Sequence, residues 1–298
     1  MPSVSSLEQA SAALSAAAAE GRTVRIGADL DADGMSRVLE HESGDLTCTV
    51  EAGIRLSALA AALAPARQRL SLDPPGDPTI GACLASNLSG PLRHRFGAPR
   101  DLVLGVTLVL ADGTIVNAGG KVVKNVAGYD LGKLVCGSRG RLAFIGRVSL
   151  RLHPDPVTAA TVVVETDDAA AVTAKLLASQ LVPSAVDILH PGRVAVLFEG
   201  GAAAVAAQVA ATRALVGGEE ADAAVWAESR SLQGDALGRT SFAPGDLQTF
   251  LARTPSAVVR PAAGIAYLPY AVTEATAEPV RRLQERVRER FDPAGVLA

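Results

Sequence analysis

Between residues 73 and 146, three loops rich in small residues alternate with strongly apolar strands. The first, DPPGDPTIGACLASNLSG, supplies Gly76, Gly81 and Gly90, with Thr79, Ser86, Asn87 and Ser89 as hydrogen-bonding side chains. The second, AGGKVVKNVAGYD, leads into a short helix near 130–136, and the third is Gly137-Ser138-Arg139-Gly140. Such loops let the backbone come close to a ligand and point amide N–H groups at an anion. A pyrophosphate lying on the first loop would need little help from lysine or arginine. Taken alone, that loop is read more simply as a tight turn before a helix. No G-x-G-x-x-G follows the first strand and no P-loop lysine motif is present, so neither a Rossmann nor a P-loop site is supported.

Around these loops the pattern is mixed. Ser5 and Glu8 have the spacing of a capping box, the alanine-rich stretch behind them favours helix, and Gly21 is placed to stop it. TVRI (23–26) reads as a short strand, and 35–40 and 46–51 as two more, separated by Ser43-Gly44-Asp45. Leu56, Leu59 and Leu63 recur at helical spacing, and Pro65 ends that run. DLVLGVTLVL (101–110) is an apolar strand that turns through Ala-Asp-Gly-Thr into Ile115–Asn117, a hairpin. RLAFIGRVSLRL is a further strand, closed by HPDP. After Pro156, TVVVET, SAVDIL, RVAVLFEG, SAVVRP and GIAYLPY alternate with helices near 167–179, 201–216, 245–253 and 274–290. That order predicts an α+β unit with its sheet on one side and helices on the other. Residues 217–243 show no clear period.

Charge nearly balances at −3, aromatics are 3% of the chain and no polybasic run occurs, which argues against nucleic acid as a partner. Cys48, Cys83 and Cys136 are scattered, without a CxxC pair, and read as small buried hydrophobes rather than ligands. His41, His94, His153 and His190 are each isolated, so no metal site and no general base is assigned. No run of about twenty uncharged apolar residues occurs, so no direct membrane span is expected. Cytoplasmic placement follows, with membrane association through a complex still open.

The segment PGDPTIGACLASNLSGPLRHRFGAPRDLVLGVTLVLADGTIV resembles the FAD-binding stretch of PCMH-type flavoproteins of the vanillyl-alcohol oxidase superfamily. GGKVVKNVAGYDLGKLVCGSRGRLAFIGRVSLRL resembles the family's next stretch and is closest in pattern to the E subunits of glycolate oxidases. The terminal FDPAGVL matches a tail common among FAD-linked oxidases. The resemblance implies an α+β fold: a PCMH-type FAD-binding domain of two α+β subdomains over 1–153, then an α+β cap domain with an antiparallel sheet over 154–298. Its C-terminal segment would return to the FAD domain. It implies noncovalent FAD, with Pro75, Gly76, Thr79, Ile80, Gly81, Asn87 and Gly90 along the pyrophosphate and ribityl chain. Tyr129, Asp130, Gly137, Ser138, Gly140 and Ile145 would surround the flavin or adenosine end. It also implies a D-type flavoprotein subunit and an iron–sulfur subunit as partners, and a small 2-hydroxy acid as substrate. The competing reading is a flavin-free structural subunit that keeps the fold.

The sequence departs from the family pattern where a glycine-rich loop should follow TVRI. Arg25-Ile26-Gly27-Ala28-Asp29-Leu30 is short, and Asp29, Asp31 and Asp33 put negative charge where phosphate would rest. Arg141 and Ala143 replace the usual Thr and Gly. Arg141 could meet a phosphate, although a solvated strand-start arginine explains it more simply. Lys121, Lys124 and Asn125 fit an anion-binding loop and a surface loop equally well.

Overall fold

A computed structural model describes residues 3–120, 130–273 and 276–298. The N-terminal helix α1 spans Leu7–Ala19, and its inward stripe Leu7, Ala10, Leu14 and Ala17 is buried. Its cap is Ser6, one residue beyond the expected Ser5: Ser6 Oγ accepts from Gln9 N at 3.3 Å, while Gln9 Oε1 accepts from Ser5 N at 2.9 Å. Gln9 therefore takes the back-bonding role expected of Glu8. Residues 23–26 form no regular strand. Val24 bridges only to Leu297, and Ile26 only to Leu30 four residues on, because the short 27–30 turn brings no neighbouring strand alongside.

The first sheet joins β1 (Val38–Glu42), β2 (Thr47–Glu51), β4 (Val103–Val109), β5 (Ile115–Gly119) and β6 (Phe144–Arg151). Its order is β1-β2-β6-β4-β5 and every pairing is antiparallel. The helices α2 (Leu56–Leu63) and α3 (Ile80–Ser86) cover one face, burying Leu59, Leu63, Ile80 and Leu84 against Val106, Val148 and Leu150. The short helices α4 (Arg93–Phe96), α5 (Pro99–Leu102) and α6 (Leu131–Val135) lie in the connections. Two short strands, β3 (Gln68–Arg69) and β7 (His153–Pro154), pair separately.

The second sheet contains β8 (Thr158–Glu165), β9 (Ala185–His190), β10 (Arg193–Gly200), β11 (Glu219–Ala221), β12 (Gly238–Ser241), β13 (Ala257–Arg260) and β14 (Ile265–Leu268). Its order is β11-β8-β10-β9-β13-β14-β12, again antiparallel throughout. Helices α7 (Ala169–Leu177), α8 (Ala202–Val216) and α10 (Leu247–Ala252) pack on one face, against Val186, Ile188, Val194, Val196 and Phe198. The helix α9 (Ala224–Gly234) lies on the other face, where Trp226 and Val225 meet Ala185, Leu189 and Ala195. The one-sided sheet expected from the pattern is therefore covered on both sides over its centre. That is why β9 reads as a continuous buried run rather than an alternating one.

A last helix, α11 (Glu278–Phe291), ends at Asp292, whose carboxylate accepts the amides of Val296 and Leu297 at 2.8 and 2.7 Å. Val296 and Leu297 then bury with α1, Met35 and Phe144. Arg69 and Glu199 form a bidentate pair at 2.7 Å between the first unit and β10.

Candidate functional site

The α3 helix carries small residues at 81, 82, 85 and 86, which i,i+4 spacing places on one face. Thr79 caps its N-terminus, with Oγ1 accepting from Ala82 N at 3.2 Å, and Asn87 ends it in the left-handed conformation at φ 49°. Above that face lies a cleft of about 440 Å³, lined by Thr79, Gly81, Ala82, Ala85 and Ser86. Its walls are Ala52, Arg139–Gly140 and Ala143–Ile145 on one side, and Ile26–Gly27 and Asp31–Asp33 on the other. The volume suits a small-molecule or cofactor site.

Backbone hydrogen bonds assemble these walls. Gly81 N donates to Ala52 O at 2.7 Å, fixing α3 to the end of β2. Gly137 N and Arg139 N donate to Leu84 O and Ala85 O at 2.9 and 2.8 Å, hanging the 137–140 turn on the C-terminal end of α3. Gly140 has φ +78°, and a Cβ there would stand 2.7 Å from the Ile26 Cβ. Only glycine lets the two walls approach so closely at that conformation.

Of the residues expected from the sequence, Thr79, Gly81, Gly140 and Ile145 line the cleft. Ile80 points into the core and is fully buried. Asn87, Gly137 and Ser138 stand behind the rim, at the α3 end and the turn docked on it. Pro75 packs on Gly234 of α9, and Gly76 lines a separate groove with Ser57 and Asp77. Gly90 backs on the Asp73 carbonyl, and Asp130 caps α6 by accepting from Lys133 N at 3.0 Å. Tyr129, with Lys121, Lys124 and Asn125, falls outside the described residues. Ala52, Arg139 and Phe144 join the cleft without a sequence signal of their own, because they reach it from the edges of elements distant in the chain. Arg139, rather than Arg141, supplies the cation on the lining; Arg141 is exposed.

The shortened N-terminal loop is a closed turn. Arg25 grips Asp29 with Nε and Nη2 at 2.8 Å each, and this partner holds the Asp29 carboxyl down at about 2. Asp31 and Asp33 remain on the cleft wall, where Asp31 Oδ1 accepts from Asp33 N at 3.0 Å. Negative charge therefore faces the cleft from two carboxylates rather than three.

Among the described residues no histidine or cysteine lines the cleft. Burial pushes the thiols of Cys48, Cys83 and Cys136 up to about 12, which keeps them protonated and unreactive. His41 Nε2 lies 2.9 Å from Gln68 Oε1, and His190 Nε2 lies 2.8 Å from the Thr254 carbonyl oxygen. His153 meets Phe96 ring to ring at a 57° tilt, and burial holds its imidazole down at about 4. Among the described residues no cluster of three or more His, Cys, Asp or Glu could hold a metal ion.

The donor set suits a dinucleotide in three respects. Ile26, Ala52, Phe144 and Ile145 form apolar walls for planar groups, and the small residues of α3 leave space above its backbone. Two buried polar atoms beside the cleft, Asn87 Oδ1 and Ser138 Oγ, make no hydrogen bond within the protein. Buried polar atoms without partners are uncommon and call for one. FAD fits these features, and the Asp31 and Asp33 carboxylates are the one feature that opposes its phosphates.

Residues 15–119 match the family model described as an FAD binding domain. The chain is 33% identical over 218 residues to the glycolate oxidase subunit GlcE of Escherichia coli, covering 72% of this chain and 61% of that protein. It is 35% identical over 164 residues to the glycolate oxidase subunit GlcD of Bacillus subtilis, covering 52% and 34%. The chain thus spans from about a third to three fifths of the length of these relatives. An alkyldihydroxyacetonephosphate synthase structure superposes with TM-score 0.73 at 17% identity, covering 98% of this chain and 74% of that one. At that identity the likeness shows a shared fold.

Proposed function

We propose that the protein, whose residues 15–119 match the family model described as an FAD binding domain, is the FAD-binding, E-type subunit of an oxidoreductase complex acting on a small 2-hydroxy acid. The observation that carries the reading is the cleft built from α3 and the 139–145 wall. FAD supplies two-electron redox chemistry when bound. Thr79, Gly81, Gly140 and Ile145 would hold it noncovalently. Arg139 adds a cation to the lining that carries Asp31 and Asp33, and Ile26, Phe144 and Ile145 would exclude water from the inner wall.

The resemblance to GlcD and GlcE supports a multi-subunit, glycolate oxidase-like complex, in which this reading places a D-type flavoprotein and an iron–sulfur subunit as partners. In this reading the D-type partner takes the substrate proton. We place the complex in the cytoplasm or at the membrane surface; among the described residues no helix is long and apolar enough to cross a membrane. The residues 1–153 would form the FAD domain and 154–298 the cap.

A second reading, a flavin-free structural subunit, is favoured by the two carboxylates on the cleft wall. Visible absorption of the purified chain, followed by FAD titration, separates the two. Flavin bands near one per chain, bleached by dithionite, support the first. A folded, colourless chain that ignores added FAD overturns it and leaves the structural subunit.

A further inference from the structure

Where α3 hands over to the seven-stranded sheet, a buried polar chain runs that the cofactor contacts do not use. The Ser89 carbonyl oxygen, two residues past the α3 cap, accepts from Gln233 Nε2 at 2.9 Å and from Arg260 Nη1 at 3.4 Å. Arg260 Nη2 donates to Gln233 Oε1 at 2.7 Å, and its Nε lies 3.6 Å from Asp187 Oδ1. Ser229 Oγ donates to the other Asp187 oxygen at 2.5 Å. Ser89, Asp187, Ser229, Gln233 and Arg260 are all at most 5% exposed. From the loop side, Arg93 Nη1 donates to Ser89 Oγ at 3.0 Å, and Asp73 Oδ1 accepts from Leu92 N at 3.0 Å.

Burying a guanidinium and a carboxylate is unfavourable unless their hydrogen bonds are satisfied, and an apolar contact would dock the two units at least as well. What a directional network adds is a defined position for the group it holds. Here that group is the turn immediately after α3. The same helix end accepts Gly137 N and Arg139 N, so the Arg139–Gly140 wall of the cleft depends on where it sits.

We propose that Gln233 and Arg260 are positioning residues for the cofactor site: by holding the Ser89 carbonyl they set the end of α3 and, through it, the Arg139–Gly140 wall. The inference rests on the reading of this cleft as the FAD site.

The test compares three full-length chains: wild type, Gln233→Leu and Trp226→Phe. Trp226 lies on the same helix, but its indole N–H donates to Thr161 Oγ1 at 2.9 Å, within the second unit. FAD affinity is read by fluorescence titration, the flavin environment by visible circular dichroism, and stability by thermal unfolding of the apoprotein. Loss of the hydrogen bonds at Gln233 is expected to weaken FAD about ten-fold and to alter the flavin dichroism. Trp226→Phe is expected to lower the melting temperature and leave FAD affinity and dichroism as in wild type. If Gln233→Leu does not fold, Arg260→Lys, which keeps a cation beside Asp187 without the reach to Ser89, takes its place. The inference is overturned if the junction variant binds FAD as wild type does. It is equally overturned if both variants lose affinity in proportion to their loss of stability. A wild-type chain that takes up no FAD overturns the cofactor reading, and this inference with it.

Discussion

Asp73 sits at the junction of the two units with an unusual proton affinity. Burial is the main cause, and it pushes the carboxyl from 3.8 up to about 7 against the pull of the Leu92 amide, Arg260 and Arg230; the nearby Asp187 adds to the rise. Arg230 Nη1 is 3.7 Å away, too far for a tight pair. An acid whose folded value is raised contributes stability that is fully present below about 3.8. That contribution is lost as pH rises, and the loss is complete once pH passes about 7. At 1.36 kcal/mol for each pH unit, the full effect would be about 4 kcal/mol. The side chain keeps 19% of its surface in solvent, and with that screening we expect about 2 kcal/mol. Asp73→Asn keeps the Oδ1 acceptor for Leu92 N and removes the titration. Thermal unfolding of both proteins at half-unit steps from pH 4 to pH 8.5 is the assay. The variant should gain on wild type steadily to about pH 7 and then run parallel, ahead by about 4–8 °C. A difference that does not change with pH, or a variant that melts below wild type at pH 8, would refute the burial argument.

Three further outcomes follow from the cleft and its supports. Ala82 is exposed on α3 and lines the cleft, so Ala82→Phe should fill it, weakening FAD binding more than ten-fold while the melting temperature stays near wild type; titration and melting of the same sample check both halves. Asp31→Asn combined with Asp33→Asn removes two like charges from the phosphate side, each worth on the order of 1 kcal/mol at high dielectric, so FAD affinity should rise about thirty-fold at low salt and the gain should shrink with added salt. Gly90→Ala places a methyl on the Asp73 carbonyl, and the backbone movement should cost about 1–3 kcal/mol, read as a lower melting temperature; an unchanged one would mean the junction is loosely packed.

Much of the first unit was legible because its signals are local. The Ala-Asp-Gly-Thr turn joins β4 and β5 in the expected hairpin, and Asp130 caps α6 where a short helix was expected. The leucine spacing of α2 and the apolar runs of β8, β9, β10, β13 and β14 lie where the pattern places them. The segment 217–243 did not yield to the same method, and α9 shows why. Its buried positions are Val225, Trp226, Ser229 and Gln233, so half of its inward face is polar. Those polar groups are satisfied by Asp187 and Arg260 from β9 and β13, partners that no local window contains.

The same distinction governs the site. Composition, the small-residue loops and the capping residues come from the chain itself, since each depends on neighbours within a turn or two of helix or strand. The cleft does not: it joins 26–33, 52, 79–86 and 139–145, and its shape depends on a glycine at 140 meeting Ile26. Tertiary structure alone also separated the three aspartates of the shortened loop, pairing Asp29 with Arg25 and leaving Asp31 and Asp33 on the wall. Local sequence specifies which backbone conformations are cheap and which side chains can cap or turn. Which of them face one another is decided by packing, because burial and hydrogen-bond satisfaction act between segments that are distant in the chain.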